Sequence, residues 1–354
     1  MKRSILILSL LCSHTFLISQ VTLEANGPGD TYELITSVFA PGYDPVEAPD
    51  CSHTAFGRHI DEIFDAVLNK HVFRFFAHAN IDNDRCINFD RQRNEIKTYD
   101  KSPDNLLGID GEKVVYTWKF KLDANFQVSP KFTHLHQLKS VGGSLASMPM
   151  YTLTARKSSP DRLELRYAET DTQVTLLQKD LAPFKGTWLS VTETITYGTN
   201  GDYAIEISKV SDGTVLLSYS NNNIINWRPD AEFVRPKWGI YRSLNHVADL
   251  RDEEVLFADF SIEEVSALSL NDYNVYANKV TISPNPAKDS ITISEIDSLK
   301  FDHILIYNPS GKKVASKKMS SERSINISSL TKGLYFLVFK KEAKIVSMNK
   351  LIVK

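Results

Sequence analysis

The sequence predicts an all-β chain made of a large two-sheet antiparallel sandwich followed by a small β-sandwich. Three observations carry this. Short runs of period-two alternation recur from about residue 31 to 264, as in 114–122 and 188–195. Turn signals separate them at Asp110-Gly111, Gly142-Gly143, Asn200-Gly201-Asp202 and Ser211-Asp212-Gly213, spaced as in antiparallel sheets. Composition then changes: Trp118, Trp188, Trp227 and Trp238 all precede residue 266, whereas the tail has no Trp, no Cys and many Lys.

Taken in order, residues 1–19 place Lys2 and Arg3 before an apolar run, which predicts a signal peptide and a secreted protein. Cys12 within it follows Leu-Leu, a poor match to a lipoprotein cleavage box. No other apolar run approaches the roughly 20 residues that cross a bilayer, so no membrane span is expected. Residues 20–265 form one domain, and about 245 residues can bury a large core. Within it, 55–70 has helical spacing at Ile60, Ile63, Phe64, Val67 and Leu68, the one sizeable helix expected. Cys51 and Cys86 are left in the exported chain. A disulfide between them would close a loop of about 35 residues and contribute about 3–4 kcal/mol; two free thiols are the alternative. Residues 266–278 are polar and aperiodic, a linker. Residues 279–354 hold short strands such as Ile304-Leu305-Ile306-Tyr307.

The chain has 354 residues, 42% hydrophobic and 24% charged, which excludes disordered and collagen-like architectures. Its net charge of −2 conceals two opposite parts. Residues 271–354 carry 14 Lys+Arg against 7 Asp+Glu, while residues 20–270 carry 25 against 36. An acidic main domain excludes nucleic-acid binding driven by bulk charge. Its ligand must be gripped by a few local cations.

The tail contains Ile282-Ser283-Pro284-Asn285-Pro286-Ala287, then Tyr307-Asn308-Pro309-Ser310-Gly311-Lys312, then Leu330-Thr331-Lys332-Gly333-Leu334-Tyr335-Phe336, and ends Lys350-Leu351-Ile352-Val353-Lys354. This series resembles the C-terminal sorting domain of the type IX secretion system. The resemblance implies an address read by that machinery and removed or anchored afterwards. A carbohydrate-binding module is the alternative, but the tail has no Trp to offer a sugar.

Two segments of the large domain stand out. In Lys131-Phe132-Thr133-His134-Leu135-His136-Gln137-Leu138-Lys139, plain alternation groups Thr133, Leu135, Gln137 and Lys139 on one face and Phe132, His134, His136 and Leu138 on the other. In Arg235-Pro236-Lys237-Trp238-Gly239-Ile240-Tyr241-Arg242-Ser243, it groups Lys237, Gly239, Tyr241 and Ser243 against Trp238, Ile240 and Arg242. A Gly among large residues lets something approach the sheet closely.

These segments resemble the β-jelly-roll polysaccharide lyases. Gln137-Leu138-Lys139 is similar to their Gln-apolar-His strand with Lys for His, and Lys237-Trp238-Gly239-Ile240-Tyr241 to their Lys-x-Gly-x-Tyr strand. Arg91-Gln92-Arg93-Asn94-Glu95 is similar to their Arg-x-Glu strand, and Gly186-Thr187-Trp188 to a Gly-x-Trp strand start. The resemblance covers about residues 70–263 and is nearest to the jelly-roll ulvan lyases. It implies a β-jelly-roll catalytic domain, a monomer, and cleavage of an acidic, sulfated polysaccharide by β-elimination.

That chemistry needs donors to offset the uronate carboxylate, a base for the C5 proton and an acid for the leaving O4. The resemblance implies Gln137 and Arg93 as carboxylate partners. It implies Lys139 and Tyr241 as the base and acid, in an order the sequence leaves open. Asn94, Arg156, Lys237 and Arg242 are further candidates for gripping substrate, as are His134 and His136. The two histidines have the His-x-His spacing of a zinc pair but no evident third ligand, so core or groove-wall roles fit better, and a bulge could bring His136 into the site. No cofactor or metal is required; Asp82-Asn83-Asp84 resembles half of a calcium loop, and a turn fits it better. A non-catalytic sugar-binding jelly roll is the competing reading. A glycoside hydrolase would need paired carboxylates on one strand face, which these strands lack.

Overall fold

A computed structural model describes residues 19–265, 280–295, 301–309, 312–318, 323–341 and 344–354. The expected signal peptide and linker fall outside the described residues, apart from Ser19.

Two antiparallel sheets pack face to face. The back sheet runs β13 (Val215–Ile224), β12 (Gly201–Lys209), β11 (Trp188–Thr196), β6 (Lys113–Leu122), β15 (Glu253–Val265), β4 (Lys70–Ala77) and β3 (Ile60–Asp65), with β1 (Ser19–Leu23) also pairing β15. The front sheet runs β10 (Val174–Asp180), β9 (Arg162–Tyr167), β8 (Tyr151–Arg156), β7 (Thr133–Val141), β14 (Phe233–Ser243), β5 (Arg91–Lys97) and β2 (Val46–Glu47). The chain thus shuttles between two antiparallel sheets, the jelly-roll arrangement.

Alternation explains the strands. In β6, Val114, Tyr116, Trp118, Phe120 and Leu122 are buried between the sheets, while Lys119 and Lys121 point outward to Asp259 and Asp65. One polar chain crosses this core. Glu193 of β11 accepts from His136 Nε2 at 2.8 Å and from Tyr203 Oη at 2.7 Å, so the buried carboxylate is not orphaned.

The helix expected over 55–70 is not formed. Residues 60–65 are β3, paired from Ile60↔Phe75 to Asp65↔Lys70, and a turn through Asn69 (φ 52°) returns the chain into β4. Phe64 and Val67, part of that expected apolar stripe, are 57% and 71% exposed. Five apolar residues mimicked a helical stripe, but pairing with β4 decided the conformation. The α-helix of this domain is α1 (Thr31–Phe39), which buries Ile35 and Phe39 one turn apart. Phe39 stacks on Trp238, ring centroids 5.9 Å apart.

Cys51 and Cys86 are disulfide-bonded, as expected, across 35 residues of sequence. The tail forms its own two sheets. One is β16 (Val280–Ser283), β17 (Ser290–Glu295) and β20 (Ser324–Asn326); the other is β19 (Lys313–Lys318), β18 (His303–Tyr307), β21 (Gly333–Lys341) and β22 (Lys344–Val353). A separate core including Ile291, Ile304, Leu337 and Phe339 fills the space between them.

Candidate active site

The site lies on the outer face of the front sheet, where β5, β14, β7 and β8 run side by side. Pairing of β5 with β14 is regular, with Lys237↔Lys97, Gly239↔Glu95 and Tyr241↔Arg93 opposite each other. Side chains directly opposite share a face, so Arg91, Arg93, Glu95 and Lys97 join Arg235, Lys237 and Tyr241 outside. Gln92 and Asn94 point inward with Trp238, Ile240 and Arg242. Gly239 (φ +147°) is needed because a Cβ there would sit 2.1 Å from the Asn94 carbonyl oxygen. What approaches the sheet at this glycine is the neighbouring strand.

Strand β7 departs from plain alternation. Its register slips between His134 and His136 against β8, and β14 slips against it between Trp238 and Tyr241. Leu135 and His136 consequently both face the core, while His134, Gln137 and Lys139 face outward. His134 lies across from Tyr241, ring centroids 5.8 Å apart, and stacks on Phe132 at 4.7 Å. His136 is fully buried, tied by Nδ1 to the Lys237 carbonyl at 3.0 Å and by Nε2 to Glu193.

The expected substrate contacts therefore need three corrections. His136 is a core residue, inward with Leu138 as alternation has it, and the bulge brings His134 out instead. Asn94 is buried beneath the sheet, its Nδ2 donating to the carbonyls of His59 and Phe76 at 2.7 and 3.0 Å. Arg242 is buried on the same side, donating to Gln92 and to the carbonyls of Ala77 and Arg251.

Around β2 and β5 the outer face is an ionic lattice. Glu95 is fully buried and accepts from Gln137 Nε2, Arg93 Nη1 and Lys237 Nζ. Glu47 holds Lys237, Lys97 and Arg85, the last two at 2.9 Å. Asp84 accepts from Arg93 Nε at 3.0 Å. Burial pushes both glutamates up, but Lys237 and Arg93 outweigh it and hold them below the usual carboxylate range. Arg85, Arg91, Arg93, Lys97, Lys139, Arg235 and Lys237 outnumber the carboxylates of Glu47, Asp84, Glu95 and the Asp90 that Arg91 holds at 2.7 Å, so positive charge is concentrated here in an otherwise acidic domain.

Tyr241 stands at the edge of this lattice. Arg91 Nη1 donates to its hydroxyl at 3.0 Å, and the Arg93 guanidinium lies 3.6 Å from its ring centroid. Burial raises its pKa, opposed by both arginines, so the resting phenol keeps its proton. His134 is pushed down to about 3, first by burial and then by Arg156, Arg93 and Arg166 against Glu95. It is a neutral imidazole, and its Nδ1 has no hydrogen-bond partner among the described residues.

Lys139 sits elsewhere. It pairs across from Arg235, five residues along β7 from His134, or roughly 15 Å of strand. Burial, with Lys237, Arg235 and Arg93 beside it, lowers its pKa to about 8. The Tyr241 hydroxyl meanwhile reaches toward Arg91, which pairs with Ser243 at the opposite end. The sequence-expected pair of Lys139 and Tyr241 is thus spread along the face, and His134 is the titratable group across from Tyr241. Gln137 and Arg93, the expected carboxylate partners, are both bonded to Glu95. Arg156 is on the outer face beside Glu164 at 3.5 Å. Asp82 and Asp84, the half calcium loop, are turned to histidines and to arginines respectively.

Residue-level reading missed Glu47, Arg91, Glu95 and Arg235. Arg91 and Arg235 share strand parity with Arg93 and Lys237, so alternation alone could have found them. Glu47 gave no signal, since its strand is two residues long and joins the sheet only in three dimensions.

Residues 281–354 match the family model described as the secretion system C-terminal sorting domain. No curated protein matches the chain. Among solved structures, the chain is similar to an endo-β-1,4-glucuronan lyase from the fungus Trichoderma reesei (15% identity, TM-score 0.44, covering 64% of this chain and 92% of that one). It is also similar to the PL-14 alginate lyase of Aplysia kurodai (12%, 0.47, 69% and 98%) and to an alginate lyase of Pseudomonas aeruginosa (13%, 0.41, 62% and 97%). At such identities, function has to be argued from this chain's own residues.

Proposed function

We propose that this is an exported lyase that cleaves a uronate-containing polysaccharide by β-elimination. The observation that carries it is the pairing of a neutral imidazole, His134, with a proton-bearing phenol, Tyr241, between two guanidiniums. In this scheme His134 removes the C5 proton of a bound uronate. The C4–O4 bond breaks as the C4–C5 double bond forms, and Tyr241 gives its proton to O4. His134 is a weak base at rest, but a uronate carboxylate beside it offsets the surrounding cations and raises its proton affinity. Arg91 and Arg93 stabilise the charge that builds on the carboxylate and then on the phenolate. Passage of the proton from His134 to Tyr241 resets the site.

Lys139 is assigned as a grip for a neighbouring acidic unit, with Arg156 and Arg235 as further cations along the chain. Arg235 fits this role because its guanidinium lies over the Tyr99 ring and its Nε and Nη1 have no hydrogen-bond partner among the described residues. Gln137 and Lys237 hold Glu95, and so position Arg93. The sequence resemblance makes ulvan the first polymer to try, with glucuronan and alginate next, and the sorting tail directs the enzyme out through type IX secretion.

The test is to incubate the purified protein with ulvan, glucuronan, alginate and heparin and follow the ultraviolet absorbance of the unsaturated uronate product. Growth of that absorbance on at least one polymer supports the proposal. Binding without any growth would favour the non-catalytic sugar-binding jelly roll.

A further inference from the structure

Behind β5, on the side away from the proposed chemistry, three imidazoles and a carboxylate converge. His53 and His59 come from the loop that carries Cys51, His78 from the end of β4, and Asp82 from the loop after it. One ligand atom from each lies within 4.8 Å of every other. Asp82 Oδ1 is 3.3 Å from His53 Nδ1 and 3.1 Å from His59 Nε2, and Asp82 Oδ2 is 3.0 Å from His78 Nδ1. We propose that His53, His59, His78 and Asp82 form a structural zinc site.

The spacing fits. A tetrahedral zinc with bonds of 2.0–2.1 Å holds its ligand atoms about 3.3 Å apart. Three imidazoles with one carboxylate suit zinc, whereas a calcium site would be built of oxygens. Hydrogen bonding alone leaves the cluster incomplete, since His53 Nδ1, though 3.3 Å from Asp82 Oδ1, is buried with no hydrogen-bond partner among the described residues. The Asp82 side chain is wholly buried, which an anion tolerates when a cation or several donors meet it.

The outer shell is built as metal sites require. His59 turns its second nitrogen, Nδ1, to Asp50 Oδ1 at 2.8 Å, and Tyr32 Oη donates to the same carboxylate. Such a carboxylate orients the ring and fixes Nε2 as the ligand atom. The Cys51–Cys86 disulfide and the Asn83 amide donating to Ser52 Oγ at 3.2 Å staple the two loops together. Phe56 packs over all three imidazoles, with ring centroids 4.5–5.3 Å away. Four protein ligands fill a tetrahedron, so the site is closed and structural.

Its consequence reaches the outer face. The loop fixed by Asp82 carries Asp84 and Arg85, which hold Arg93 and Glu47. Gln92, on the inner face of β5, donates to the carbonyl of His78 at 3.0 Å. Zinc would therefore set the position of the strand that bears Arg91 and Arg93.

The exported protein, purified without chelator or affinity metal, should contain about one zinc per chain by elemental analysis. Dialysis against o-phenanthroline should remove it and lower Tm, and Zn2+ alone should restore Tm. His53→Ala and His78→Ala should each lose the metal and the Tm response to Zn2+. Cobalt substitution gives a second readout that needs no variant, because four-coordinate Co2+ on nitrogen and oxygen absorbs strongly in the visible. Protein that carries no metal and whose Tm does not respond to added Zn2+ would overturn the proposal and leave a hydrogen-bonded histidine cluster. Retention of zinc by both variants would overturn this ligand set.

Discussion

The outer face of the front sheet has two halves that differ in how their charges are paired. Around β2 and the middle of β5, Lys237, Lys97, Arg85 and Arg93 each hold a carboxylate of Glu47, Glu95 or Asp84. At the Tyr241 end, the phenol and the His134 ring themselves meet cations: Arg91 on the phenol, Arg93 over its ring, Arg156 and Arg166 near His134. The carboxylates that Arg91, Arg156 and Arg166 hold, Asp90 and Glu164, are not buried as Glu47, Glu95 and Asp84 are. Buried ion pairs offset their own desolvation only when the geometry is satisfied on all sides, and they then fix position. A cation already holding a buried carboxylate has little left for a substrate. The half whose cations hold buried carboxylates reads as scaffold, and the Tyr241 half, where the partners lie nearer solvent, as the place where a polyanion is met.

The largest effect should come from the Tyr241 half. Tyr241→Phe and His134→Ala should each lower kcat about 10²–10⁴-fold, the usual contribution of a positioned acid or base. Tm should stay within a degree or two for Tyr241→Phe, since the phenol's oxygen bonds only Arg91 among the described residues. Near-native turnover in either variant would move the chemistry elsewhere on the face.

Breaking the scaffold half should show in stability. Glu95→Gln leaves Lys237 and Arg93 buried with one carboxylate fewer, and should cost about 3–5 kcal/mol in chemical denaturation. The pH dependence has a definite sign. Glu47 and Glu95 are held below the usual carboxylate range, so the stability they add is complete above that range and is lost as pH falls through their lowered values. Glu95→Gln should flatten that acid limb. A variant as stable as the parent would show that this half is not a scaffold.

How much of this the sequence reveals depends on whether a feature is periodic. Strands with a clean alternation, such as β6 and β11, are legible, as is the placement of Lys237 and Tyr241 on one face. The same parity separates Arg93 from Asn94 and Tyr241 from Arg242, so the buried positions of Asn94 and Arg242 follow from it too. The bulge in β7 is not periodic. One extra residue at Leu135 turns His134 out while His136 stays inward, and nothing local in Thr-His-Leu-His-Gln announces it. Glu47 and the histidine cluster are assembled from segments far apart in the chain, and only the folded sheet brings them together. The 55–70 stretch misleads for the opposite reason, because a chance helical spacing of five apolar residues loses to pairing with β4.

The smallest effect tests where Lys139 belongs. Its pKa near 8 means that it is charged below that pH and neutral above it, whether it serves as a grip or as a base. A grip works while charged, so KM for the polyanion should be low below pH 8 and rise as pH passes through about 8, with kcat unchanged. Lys139→Met should raise KM about fivefold at pH 7, the effect of about 1 kcal/mol from one partly exposed ion pair, and should erase the rise near pH 8. Lys139→Arg keeps its charge to high pH and should hold KM low across that range. A base works while neutral, and for it the expectations reverse: kcat climbs through pH 8 and both substitutions abolish turnover. The arginine variant therefore decides between the two roles, because it preserves the charge while removing a group able to give up its proton at working pH.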